Sequence, residues 1–304
     1  MRPECDPRVL LGARLLADAR LREAASTFLG ALATAGVVAA PIKGLVVSAL
    51  LYEDPLERPF GDVDVLVGRR DLGRVAEVAR AAGWRIVRDS RQLLTLNVVI
   101  PPGIPMDVRA SVGPPPFARA TAREMLERAS LVRDPRVTAG PFWLLEGHDH
   151  LALLMLDATF DKFALRSELR KRELAEALRR WVASPARFAA DLRAAGLVTV
   201  AWVALAWLHA ETGDAVALEA LEALRPVPAV PGAVAARLLE AFRREPYGAA
   251  ARLGVRFLAD SPGRGLAALA LGALGTARYH ARHRGRDPWA GVVWRNDGPP
   301  LTGK

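Results

Sequence analysis

Leu10, Ala13, Ala17, Leu21, Ala24, Phe28 and Leu32 recur at spacings of three and four, with arginines and acids between them. That period predicts an amphipathic helix, and Gly36 is a natural stop for it. A short apolar stretch, 37–42, leads into Lys43-Gly44, and a second helical segment over 45–52 runs into Pro55. Residues 53–61 form a polar loop with two prolines. From Asp62 to Val67 the chain first alternates and then becomes continuously apolar, the pattern of a strand entering a core. Asp71 stands at an N-cap position. Leu72, Val75, Ala76, Ala79 and Ala82 make one helical face, closed by Gly83.

Strand patterns follow over 84–87, 93–100 and 104–110, separated by Asp89-Ser90-Arg91 and Pro101-Pro102-Gly103. Beyond Gly113 strands mostly give way to helical periodicity, over 151–156, 165–181, 188–192, 198–209, 215–224, 234–242 and 266–277. A proline-rich break lies at 225–231, and an irregular basic stretch with Trp289 and Trp294 spans 280–304. The expected fold class is α+β: an N-terminal mixed sheet with flanking helices, then a mostly helical part. The expected domains are 1–130, carrying the chemistry, and 140–295, a helical acceptor or lid domain.

Composition narrows this picture. A chain of 304 residues suggests two domains. With 51% hydrophobic and 25% charged residues, wholesale disorder is excluded. Cys5 is the single cysteine, so no internal disulfide forms, in keeping with a reducing compartment. The N-terminal residues do not resemble a signal peptide. The longest uncharged run, 194–210, contains Gly196, Thr199 and His209 and reads as a buried helix. A cytoplasmic protein with no membrane association is expected. The net charge is 42 − 33 = +9. It fits either a solvated arginine-rich surface or attraction to phosphates and nucleic acid.

Candidate chemistry concentrates in 41–67. Alternation puts Asp62 and Asp64 on one face of a strand, their Cα atoms roughly 6.5 Å apart, with Val63 and Val65 facing the core. Two adjacent acids repel, and a hard divalent cation would relieve that cost. A solvated acidic strand end is the alternative for the pair alone. Gly61 allows close approach by a ligand, and Gly44 at a helix start would turn backbone N–H groups toward an anion. Lys43, one of only four lysines, adds a positive charge beside it. Asp107, between apolar neighbours on another strand, is the candidate third acid. Arg109 shares its face, so an Asp107–Arg109 ion pair is the competing interpretation.

The window 41–67 resembles the polymerase-beta-like nucleotidyltransferase superfamily. Within it, the window resembles a branch of uncharacterised bacterial nucleotidyltransferases whose first motif is Lys-Gly. The residues that carry the likeness are Ile42, Lys43-Gly44, Tyr52, Asp54-Pro55, Arg58, Gly61-Asp62-Val63-Asp64 and Val65-Leu66-Val67. It extends more weakly to Asp107 and to 157–173, where the branch carries histidines and a late aspartate. The resemblance implies that Asp62, Asp64 and Asp107 bind Mg²⁺ or Mn²⁺, and that Asp107 is also a general base. Lys43, Gly44, Arg58, Gly61 and Arg109 would contact the NTP, from which a nucleoside monophosphate passes to an acceptor hydroxyl with release of pyrophosphate. The acceptor expected is a small molecule or peptide in preference to RNA. The chain departs from the superfamily in having Lys43-Gly44 where Gly-Ser is usual, a longer gap from Gly44 to Asp62, and Arg109 where the branch often has histidine. The altered first motif and Arg109 keep in view a non-catalytic nucleotide- or partner-binding protein, and the +9 charge and basic tail keep in view an RNA-modifying enzyme.

Other features read as structural. His148 and His150 are expected at a surface helix boundary, since a zinc site needs further ligands. Lys162 is expected in an exposed ion pair, and 166–180 as a solvated face with i,i+4 pairs. The segment 278–286 is expected to be a basic tail, and the glycines around Arg264 have no phosphate-loop spacing.

Overall fold

The computed structural model describes residues 7–160, 167–244 and 254–282. Helix α1 (Pro7–Thr34) buries Leu21, Ala24, Phe28 and Leu32 of the predicted face, with Leu29 beside them, while Ala13 of that face and Leu11, Leu15 and Leu16 near its start stay exposed. Gly36 then adopts a positive φ of 72°, which reverses the chain into β1 (Ala39–Ile42). Next come α2 (Gly44–Leu50), β2 (Val63–Val67), α3 (Leu72–Ala81), β3 (Arg85–Ser90), β4 (Thr95–Ile100) and β5 (Ile104–Arg109). The five strands form one sheet in the order β1-β2-β5-β4-β3. Only β2 and β5 pair in parallel; the other neighbours are antiparallel.

The sheet has two unlike faces. Val63, Val65, Val67, Val98, Met106 and Val108 point to one side and form a core with α1 and α3. On the other side Ala40, Ile42 and Leu66 join the core of the helical part, but the middle of that face is polar. Strand alternation requires this split, because neighbouring residues on a strand face opposite ways.

After the sheet, α4 (Ala122–Arg128) starts with a capping box, Thr121 with Glu124. Strands β6 (Ser130–Val132) and β7 (Phe142–Leu144) make a small antiparallel sheet that the sequence pattern did not reveal. Three residues per strand are too few to display alternation. The helical part holds α5 (Gly147–Phe160), α6 (Glu168–Trp181), α7 (Pro185–Ala195), α8 (Val198–Thr212), α9 (Ala215–Ala223), α10 (Ala229–Arg244) and α11 (Pro262–Arg282). A short 3-10 helix, Val255–Leu258, precedes α11. The uncharged run 194–210 is split between two helices, because Gly196 ends α7 in the left-handed conformation. Among the described residues no helix is long and apolar enough to cross a membrane.

Two expectations need correction. His150 is buried at 2% exposure, 5.6 Å from the Trp181 ring, and His148 pairs with Asp191 at 2.6 Å. Neither is a free surface histidine, because the first turn of α5 packs against α6 and α7. Helix α6 carries the expected i,i+4 pair, Arg180 with Glu176, on a solvated face, but Glu173 within the same run is 1% exposed, and Arg170 turns inward with it. Lys162 and residues 283–304 lie outside the described residues.

Candidate active site

Strand register assembles the polar face. Asp64 on β2 is the partner of Asp107 on β5, Asp107 is opposite Asn97 on β4, and Asn97 is opposite Arg88 on β3. Two residues further along, Arg109 is opposite Thr95. Adjacent strands lie about 4.8 Å apart, so this row forms a continuous polar strip. The parallel β2–β5 pairing is what brings Asp64 beside Asp107, although 42 residues separate them in sequence.

The strip is the floor of a cleft of about 760 Å³, which Asp62, Asp64, Asp107, Lys43 and Arg109 all line. Leu153, Leu156, Asp157 and Phe160 of α5, Arg256, and Leu269, Gly272 and Ala273 of α11 line the rest of it. Ser111, Gly113 and Pro114 make the rim.

Lys43 enters this cleft from a strained position. Its φ of 55° and ψ of −127° are unfavourable for a residue with a Cβ. The turn aims its side chain inward, where Nζ lies 2.5 Å from Asp157 Oδ1 and 3.2 Å from Asp64 Oδ1. Gly44 is required for a different reason. A Cβ there would come within 2.7 Å of Phe60 Cβ and 2.9 Å of an Arg58 nitrogen.

Arg109 bridges the two strand acids. Its Nη2 donates to Asp107 Oδ2 at 2.7 Å and lies 3.0 Å from Asp64 Oδ1. Asn97 Nδ2 donates to Asp107 Oδ1 at 3.0 Å. Burial pushes the Asp107 carboxyl upward, but the charge and hydrogen bond of Arg109, with Lys43 and Asn97, outweigh it and hold it below the usual range. Burial prevails at the other two: Asp62 is raised, and Asp64 is pushed up to about 6 despite Lys43 and Arg109. Asp64 Oδ1 is thus close to two cations, yet it accepts no hydrogen bond of acceptable geometry. Thr95 Oγ1, Arg109 Nε and Arg256 Nη1 are likewise buried without hydrogen-bond partners among the described residues, and these three residues line the cleft. Orphaned polar atoms gathered at one cleft are what a polar ligand would satisfy.

The charge network continues away from the cleft. Arg170 Nη2 donates to Asp157 Oδ2 at 2.8 Å, and its Nη1 donates to Glu173 Oε2 at 2.7 Å. Arg58 Nε donates to Glu173 Oε1 at 2.6 Å. Arg58 was expected to fold over a nucleotide. Instead it is 6% exposed and tied to Glu173, and it does not line the cleft. Gly61 does not line it either, and Gly44 lies behind Lys43, against Phe60 and Arg58.

The three aspartates offer only oxygen donors, the chemistry that hard divalent cations select, and Asp64 Oδ1 is an orphan among them. The donor types therefore fit such an ion. Their charge is met here by Lys43 and Arg109, and among the described residues no three acidic, histidine or cysteine side chains are grouped to hold a metal as they stand. Sequence reasoning did not single out Asp157, Asn97 or Arg256. Asp157 had a trace, as the first residue of the segment 157–173 that carries the weaker resemblance, and Asn97 interrupts an apolar strand run. Arg256 had none.

Comparison with protein families gives one match. The model of a family described as uncharacterised nucleotidyltransferase covers residues 12–211, and the chain belongs to that family. Curated proteins yield no match.

Proposed function

We propose that this member of the nucleotidyltransferase family transfers a nucleoside monophosphate from an NTP to a hydroxyl group of an acceptor. The carrying observation is the convergence of Asp62, Asp64 and Asp107 with Lys43 on one cleft between the sheet and the helical part. In the reaction, the acceptor oxygen forms a bond to the α-phosphorus. The bond from that phosphorus to the oxygen bridging to the β-phosphate breaks, and pyrophosphate departs with the electron pair. Asp107, held ionised by its neighbours, receives the hydroxyl proton. Lys43 supplies positive charge to the phosphates from a backbone position that cannot easily relax. Asp62, Asp64 and Asp107 would hold Mg²⁺ or Mn²⁺. Such an ion neutralises phosphate charge and polarises the phosphorus centre.

Arg109 motivates a second reading. It already spans Asp64 and Asp107, as an internal counter-charge would in a protein that binds nucleotide without turning it over. One experiment separates the two: incubation with NTP labelled at the α-phosphate, Mg²⁺ or Mn²⁺, and cell extract. Label in a product together with pyrophosphate release supports transfer. Binding of NTP by calorimetry, with no pyrophosphate from any extract, supports the sensor.

A further inference from the structure

Arg256 is the least explained charge in the cleft. It sits on the 3-10 helix Val255–Leu258, beyond the segment matched by the family model. Its backbone is firmly seated. Val255 and Leu258 are buried, a Cβ at Gly265 would come within 2.5 Å of the Arg256 carbonyl oxygen, and a Cβ at Gly254 would strike Leu238. Just downstream, Asp260 accepts hydrogen bonds from the Val198 and Thr199 amides at 2.8 Å each, pinning the segment to the start of α8. The side chain lies over Phe160, its Cζ 5.3 Å from the ring centroid. Nη1 is buried with no hydrogen-bond partner among the described residues.

The other cations facing the cleft are engaged. Lys43 is held by Asp64 and Asp157, Arg109 by Asp64 and Asp107, and Arg88 also interacts with its surroundings. Partners raise Lys43 and Arg109 above their ordinary values despite burial, whereas burial lowers Arg256 with no carboxylate among the described residues to oppose it. A half-buried guanidinium whose Nη1 is buried and has no partner among the described residues costs stability. A bound anion would offset that cost.

We propose that Arg256, lying on Phe160, binds an anionic group, a carboxylate or a phosphate monoester, carried by the acceptor. Calling the anion part of the acceptor rests on the transfer reading; the anion site itself does not. A triphosphate needs several donors, and on the sheet side Lys43, Arg88 and Arg109 are the cations that line the cleft. Arg256 offers one guanidinium beside apolar Leu156, Phe160 and Leu269, a setting for a single anionic group on an otherwise apolar molecule. Phe160 lies three residues beyond Asp157 on α5, about 4.5 Å along the axis. An anion at Arg256 therefore leaves the acceptor's hydroxyl within reach of the phosphates near Lys43.

The test is calorimetry on the full chain with phenyl phosphate, benzoate, neutral benzyl alcohol and ATP–Mg²⁺ as probes. The expected result is that one or both anions bind at least about tenfold more tightly than benzyl alcohol. Arg256→Gln should lose that advantage while ATP–Mg²⁺ affinity changes less than about twofold. The stronger of the two anions identifies the group as phosphate or carboxylate. Arg256→Met should melt no lower than the parent, because it removes an uncompensated charge. The proposal is overturned if neither anion binds, if Arg256→Gln binds them as the parent does, or if ATP–Mg²⁺ binding falls as far as anion binding. A clear drop in the melting temperature of Arg256→Met overturns it too, by making the residue structural. If the parent binds none of ATP, GTP, CTP and UTP with Mg²⁺ but keeps Arg256-dependent anion binding, the transfer reading fails and the anion site stands.

Discussion

One chain of charged side chains has two very different ends. At the sealed end, both oxygens of Glu173 are taken, one by Arg58 and one by Arg170, and the carboxylate is 1% exposed. At the open end, Asp64, Asp107, Lys43 and Arg109 face a cleft, and Asp64 Oδ1 and Arg109 Nε lack hydrogen bonds. Asp157 joins the two through Lys43 and Arg170. The residue types are the same at both ends, so composition does not separate a brace from a site. Satisfaction separates them. A buried ion pair with every oxygen occupied holds the helical part to the loop before β2. A cluster with orphaned atoms and adjoining space has capacity for a ligand.

The sharpest way to break this contrast is to neutralise the open end. Asp64→Asn should lower nucleotidyl transfer by at least about 10³-fold, since charge placed for the transition state is lost. Its melt should stay close to the parent, because Lys43 keeps Asp157 and Arg109 keeps Asp107. Full transfer by this variant would reject the catalytic assignment. At the sealed end the signature should reverse. Arg58→Ala leaves Glu173 with one partner and should cost about 3–5 kcal/mol in urea unfolding. Transfer per folded molecule should persist, and a selective loss of turnover would mean that Arg58 serves the nucleotide after all.

His150 sharpens the comparison because it is sealed but has no charged partner. Burial lowers its pKa to about 4, against about 6.5 in an unfolded chain. The unfolded state therefore takes up the proton first. The contribution of His150 to stability is complete above pH 6.5 and declines as pH falls through that value toward 4, by up to about 3 kcal/mol. His150→Leu should flatten this part of the stability–pH curve, measured by urea titration at each pH. An unchanged slope would place the acid sensitivity elsewhere. The smallest effect expected is at Asn97→Ala, which removes one donor from Asp107. Transfer should fall several-fold and stability by about 1 kcal/mol. An unfolded Asn97→Ala protein would instead assign the open end a bracing role.

Much of the fold was legible because its elements are long enough to show their periods. The 28-residue α1, the alternation at Asp62–Val67 and the face of α3 all appear where the pattern puts them. The Lys43-Gly44 and Asp62/Asp64 positions were readable for the same local reason: each depends on one turn or one strand. The contact of Arg58 with Glu173 was not legible because a polar loop does not say which way its arginine turns. Its partner, Glu173, lies 115 residues away. Strands β6 and β7 escaped notice because three residues carry no period, and Arg256 because nothing near it in sequence marks it.

By itself, then, the chain's pattern determined which residues share a strand face and which must be buried, since side-chain direction along a strand or helix follows from backbone geometry alone. Tertiary structure decided which charges meet. The parallel pairing of β2 with β5 sets Asp64 beside Asp107, and the packing of α5 and α6 assigns Asp157 to Lys43 and Glu173 to Arg58. Those outcomes depend on contacts between residues distant in sequence, and whether a charge is braced or left open is fixed only when its whole surroundings have closed around it.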